Sequence, residues 1–103
     1  MSHVAAGDRL WRALERSAAA AGCPVTMIYS VSESWSSAMF LGGRHEMMLA
    51  ADVSPAFAPW ADDLKDAELS VPGHLVADVA VGRVEQLGGR QRVTIEALTV
   101  EDA

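Results

Sequence analysis

Leu41-Gly42-Gly43-Arg44 returns 46 positions later as Leu87-Gly88-Gly89-Arg90, and each copy stands between runs rich in strand-forming residues. Gly-Gly supplies the positive φ that two-residue type I′ or II′ turns demand, so both copies are read as hairpin turns. Working outward, the first has Ala38 to Leu41 and His45 to Val53 as its arms, and the second has Leu75 to Leu87 and Gln91 to Val100. The same offset lays the helical pattern from Asp8 over one beginning near Ser54, and the strand from Val25 over the segment from Val71. The chain thus reads as a helix-strand-hairpin unit used twice, although no further identities support an ancestral duplication.

A chain of 103 residues, half of them hydrophobic and 21% charged, is sized and composed for one domain over 1–103 with its own core. The mean hydropathy of +0.15 is high for so small a chain and points to apolar surface buried against a second subunit. A net charge of −6 with a single lysine, Lys65, argues against phosphate backbones and anionic membrane surfaces as partners. Met1 to Arg12 lacks a basic segment followed by a long apolar core, and no run approaches membrane-spanning length. With one cysteine, Cys23, disulfides are not expected, and a cytoplasmic location follows.

Asp8 suits a helix N-cap. Leu10, Trp11, Leu14, Ala18 and Ala21 recur at helical spacing until Gly22 and Pro24 end the pattern, and Arg9, Arg12 and Arg16 share the opposite face. From Val25 the period becomes two, with Val25, Met27, Tyr29 and Val31 on one side. A strand running on to Leu41 would be roughly 55 Å long at about 3.3 Å per residue, so a bend is expected over Ser32 to Ser37. Met47, Leu49, Ala51 and Val53 then alternate against Glu46, Met48, Ala50 and Asp52. The second helix is expected to begin near Pro59, with Trp60, Leu64 and Ala67 inward and Asp62, Asp63 and Asp66 outward. A two-residue loop at Gly88-Gly89 opposes Glu85 to Arg92, Val81 to Glu96, Val79 to Leu98 and Asp78 to Thr99. The apolar face changes side along this hairpin, which fits either strong twist or a bulge at Gly82.

His45 and Glu46 follow the first Gly-Gly, and His74 and Asp78 bracket the start of the next hairpin. Imidazole beside carboxylate is the material of acid-base catalysis, so these four are the candidate catalytic residues. Neighbours on a strand point to opposite faces, however, which separates His45 from Glu46. Three histidines and one cysteine match no recurring ligand spacing, and Asp62, Asp63 and Asp66 lack the glycine turn and closing glutamate of a calcium loop, so neither a metal nor a cofactor is expected. No G-x-S-x-G, Walker or G-x-G-x-x-G motif occurs. Trp35, among four serines and a glutamate, is a candidate anchor for a partner or ligand, and Met47 and Met48 are candidate adaptable surface. The order helix, three strands, helix from Asp8 to Ala67 superficially resembles a double-stranded-RNA-binding domain. It departs from that family where phosphate binding needs Lys and Arg, because the second helix is acidic.

The expected architecture is α+β, a five-stranded mainly antiparallel sheet with two helices on one face in the order αβββαββ. Two functions suit it. One is a self-associating protein-interaction module without catalysis, the other face of its sheet closed by a second copy in a homodimer or by a partner protein. The other is a small enzyme or ligand-binding domain with a cleft holding His45, Glu46 or His74 and Trp35 at its mouth.

Overall fold

The computed structural model describes residues 3–101, which form two helices and one five-stranded antiparallel sheet. Helix α1, His3–Ala20, starts well before Asp8. Asp8 is therefore a residue within the helix and not its cap. The reason is that Ala6 and Gly7 extend the buried stripe of Leu10, Ala13, Leu14 and Ala18 back by one turn. The other end closes as the glycine pattern requires. Gly22 takes φ +83, the Gly22 N–H donates to the Ala19 carbonyl and the Cys23 N–H to that of Ala18, the paired bonds of a Schellman motif.

Strand β1, Thr26–Ser36, and strand β2, Leu41–Asp52, form a long hairpin paired from Thr26 with Ala50 to Ser36 with Leu41. The expected bend at Ser32 to Ser37 and the expected turn at Gly42-Gly43 are both corrected. The chain reverses at Ser37–Phe40, where the Ser37 N–H donates to the Phe40 carbonyl at 2.8 Å and the Ser37 hydroxyl accepts from the Phe40 N–H at 3.2 Å. Gly42 and Gly43 lie inside β2, and neither has positive φ. A bulge at Ile28, between Met27 and Tyr29, returns Tyr29 and Val31 to the face away from the buried Val25.

Helix α2, Phe57–Asp63, runs into a 3-10 turn at Leu64–Asp66. It begins ahead of Pro59 because a proline in the first turn removes an N–H that has no intrahelical acceptor. Trp60 and Leu64 are buried, Asp62, Asp63 and Asp66 are exposed, and Ala67 is exposed as well. Strands β3, His74–Val81, β4, Glu85–Leu87, and β5, Arg90–Glu101, follow. Two strands thus precede α2 and three follow it, because one hairpin replaces the three segments expected there and the chain breaks at Gly82 into β3 and β4. The sheet order is β1-β2-β5-β3, with β4 also on β5.

The second Gly-Gly is a turn, with Gly88 at φ +62 and Leu87 opposite Arg90. Glu85 faces Arg92 as expected. Beyond Gly82, whose N–H donates to the Thr94 carbonyl, the register moves by one residue, so Val81 faces Ile95, Val79 faces Ala97 and Asp78 faces Leu98. The shift has a physical cause. It turns Val79 and Val81 toward the core, and a one-residue slip exchanges the two faces of a strand.

Both helices pack on one face of the sheet. Leu10 and Leu14 of α1 and Phe57, Trp60 and Leu64 of the second helical segment close over Met47, Leu49 and Ala51 of β2 and Val93, Ile95 and Ala97 of β5. Removing one such side chain, as in Leu49→Ala, costs about 2 to 5 kcal/mol. The Trp60 indole N–H donates to the Ser17 hydroxyl at 2.9 Å and ties the helices together. No described helix lies on the opposite face, which carries Tyr29, Val31 and Glu33, then Arg44, Glu46 and Met48, then Thr94, Glu96 and Leu98.

Candidate functional site

His45 sits on the inward face of β2, with 1% of its surface exposed. Its Nδ1 is 2.8 Å from the Ser32 hydroxyl of β1, and its Nε2 is 2.8 Å from the Thr99 hydroxyl of β5. One directional chain satisfies all three groups. Ser32 donates to Nδ1, Nε2–H donates to Thr99, and Thr99 donates to the Gly43 carbonyl at 3.4 Å. Burial pushes the His45 pKa below its ordinary value, and electrostatic repulsion between its charged form and the neighbouring His3 and His74 adds to the effect.

Serine bonded to histidine is the arrangement of a nucleophile and its base. Here the α1 backbone closes it. A Cβ on Gly7 would fall 2.5 Å from the Ser32 Oγ and 3.3 Å from the His45 Nδ1, so the helix backbone lies directly on the pair. The group joins three strands beneath a helix, and its chemistry is that of a buried polar latch. Ser32, Thr99 and Gly7 were not singled out from the sequence, because only strand register brings them to His45.

Of the remaining candidates, His74 lies near enough to act on His45, while Glu46 and Asp78 face the other side of the sheet. Glu46 lies on the open face, where its carboxylate accepts from the Tyr29 hydroxyl at 2.9 Å, a bond that raises the Tyr29 pKa. His74 is buried at the start of β3, and neither ring nitrogen has a partner. Asp78 is on the open face beside Arg44 and Glu96. No hydrogen bond joins any two of His45, Glu46, His74 and Asp78. Met47 is a core residue, 1% exposed and opposite Ile95, which removes it from any surface; Met48 is half-buried on the open face. Among the described residues no three His, Cys, Asp or Glu side chains gather as a metal-ligand set.

Trp35 belongs to β1 and not to a separate loop. It is half-buried opposite Gly42, and its indole N–H is enclosed without an acceptor. A cleft of about 350 Å³ beside it is walled by His3, Ser34, Leu41 and Glu101, and none of the four candidates lines it. A second groove, of about 230 Å³ on the open face, is walled by Val31, Glu33, Arg44, His45, Glu46 and Glu96, so two of the candidates border it, although the His45 ring is turned inward to Ser32 and Thr99.

The exposed surface of β1 and of the hairpin tip is apolar in large part. No residue of β1 is buried. Met27, Ile28, Tyr29 and Val31 are exposed along it, and Met39, Phe40 and Leu41 are exposed at the tip leading into β2, Met39 to 84%. Among the described residues no helix is long and apolar enough to cross a membrane. No protein-family model, curated protein or solved structure matches the chain.

Proposed function

We propose that the protein is a self-associating interaction module without catalysis, two copies meeting through β1 and the adjoining hairpin tip. The observation that carries this reading is the set of exposed apolar side chains on β1, from Met27 to Val31, and at the hairpin tip, from Met39 to Leu41. Soluble monomers avoid patches of that kind, and an isologous contact buries the same patch twice. The charge distribution supports it, because β1 holds one charged residue, Glu33, in a chain whose net charge is −6. A buried, free Cys23 suits a reducing compartment, so the same reading places the protein in the cytoplasm, with neither nucleic acid nor membrane as its partner.

Light scattering on micromolar protein tests the proposal. A mass near twice the 10.9 kDa of one chain is expected. A mass of one chain would overturn self-association and leave another protein as the cover for β1.

A further inference from the structure

Resting on that reading, we infer that the two copies join edge to edge, β1 running antiparallel to β1 of the partner subunit in a register centred on Ser32. The sheet has two free edges, and they differ. Strand β3 is kinked between Val76 and Asp78, carries Asp78, and has the Leu64–Asp66 turn packed against it. Strand β1 pairs with β2 without interruption from Tyr29 to Ser36, and in that stretch it has no Lys, Arg or Pro. Kinks, charges and covering segments are the means by which edges are kept from pairing, and beyond its Ile28 bulge β1 has only Glu33.

The hairpin turn fixes which backbone groups are available. The Ser37 N–H to Phe40 carbonyl bond makes Ser37 and Phe40 a hydrogen-bonded position of the ladder, with the Phe40 N–H taken by the Ser37 hydroxyl. Such positions alternate along an antiparallel ladder, so Trp35, Glu33, Val31 and Tyr29 direct their N–H and C=O groups to β2. Those of Ser30, Ser32 and Ser34 point to the free edge.

A twofold axis normal to the sheet keeps each face on its own side, and the axis must then pass through a residue position. Centred on Val31, the pairing runs into the Ile28 bulge. On Glu33 it sets two carboxylates opposite each other, and on Ser34 it runs into the turn at Ser37. On Ser32 it stays within the unbroken stretch, with Ser32 exchanging bonds with Ser32 of the partner subunit and Ser30 with Ser34 of the partner subunit. On the open face Tyr29 then stands across from Trp35 of the partner subunit, an aromatic cross-strand pair made twice. Glu33 stands across from Val31 of the partner subunit, with its own Arg44 already beside it on β2. The inward face of the junction consists of serines, with α1 of each copy lying over its own Ser32 through Gly7. A second copy is the occupant because the segment is complementary to itself under this one operation.

Disulfide trapping tests the register. In the bonded pair the Cα atoms lie about 5.5 Å apart, within reach of a disulfide, whereas residues offset by four positions are separated by more than about 13 Å. Ser30→Cys and Ser34→Cys chains, unfolded together, refolded and mildly oxidised, should give a covalent dimer. Neither variant alone should, and the wild type with its buried Cys23 is the control. Cross-linking by either variant alone, or none in a mixture whose mass is dimeric, would overturn the register and leave self-association standing; a monomeric mass would overturn both. Ser34→Pro adds a second arm, because it removes an N–H that β2 does not use. Loss of the dimer with an unchanged circular dichroism spectrum is expected, and a dimer that survives the change overturns the edge contact.

Discussion

The two Leu-Gly-Gly-Arg segments occupy opposite extremes of environment. Gly42 and Gly43 are buried in β2, where a Cβ on the first would run into the Thr99 carbonyl oxygen and one on the second would come 2.7 Å from the His45 Nε2. Gly88 and Gly89 are exposed at a turn, with nothing within 4 Å of either Cβ position, and Gly88 alone has φ +62. The first pair is required for space and the second for backbone freedom, two separate consequences of the missing side chain. What lies across the strand decides which one is used.

The contrast breaks most severely at Gly42. Gly42→Val forces β2 away from β5 and presses on the Trp35 indole, 2.8 Å from the new Cβ, and is expected to cost about 3 kcal/mol or more. Urea unfolding measures this, and a midpoint equal to that of the parent would show that the strands can separate at no cost.

Acid separates the two segments next. The folded state holds the His45 pKa below its ordinary value, so as pH falls the unfolded chain takes up this proton first. The stability contributed is complete above about pH 6.5 and is lost as pH drops toward the folded-state value, at up to about 1.4 kcal/mol per pH unit. Hydrogen exchange should place the loss around Gly43 and not at Gly88. His45→Gln should flatten the slope of unfolding free energy against pH, and an unchanged slope would assign it to other groups.

At the turn the effects are smaller. Gly88→Ala meets no neighbour but must hold positive φ, and about 1 kcal/mol of destabilisation is expected by thermal unfolding. Gly89→Ala, with neither positive φ nor a contact, should stay within about 0.5 kcal/mol. Equal costs at Gly88 and Gly89 would contradict the turn geometry.

Periodicity made the inward stripe of α1 and the alternating core positions of β2 legible in the sequence, since those positions are set by local geometry alone. The first Gly-Gly was not legible as a strand segment, because its meaning depends on Trp35, His45 and Thr99, which only pairing brings together. The true reversal at Ser37–Phe40 is masked by Met39 and Phe40, apolar residues at a position where turns are normally polar. At the site, His45 was identifiable from its residue type. Its partners Ser32 and Thr99 were not, because they come from two other strands, and the helix that seals the group was expected to begin only at Asp8.

The placement of β5 has a consequence for how the molecule forms. The strand lies between β2 and β3, and its pairing of His45 with Ala97 closes a loop of about 50 residues. Until residues 90–101 exist, the β1–β2 hairpin and β3 have no common ladder, and Met47 and Leu49 have no Ile95 and Val93 to face. Contacts this distant in sequence make folding slow for the chain's size, and during that interval the unguarded edge of β1 is open to any neighbouring strand. A chain that stops short of Arg90 is therefore not a smaller form of the same protein but two fragments of a sheet without the strand that unites them.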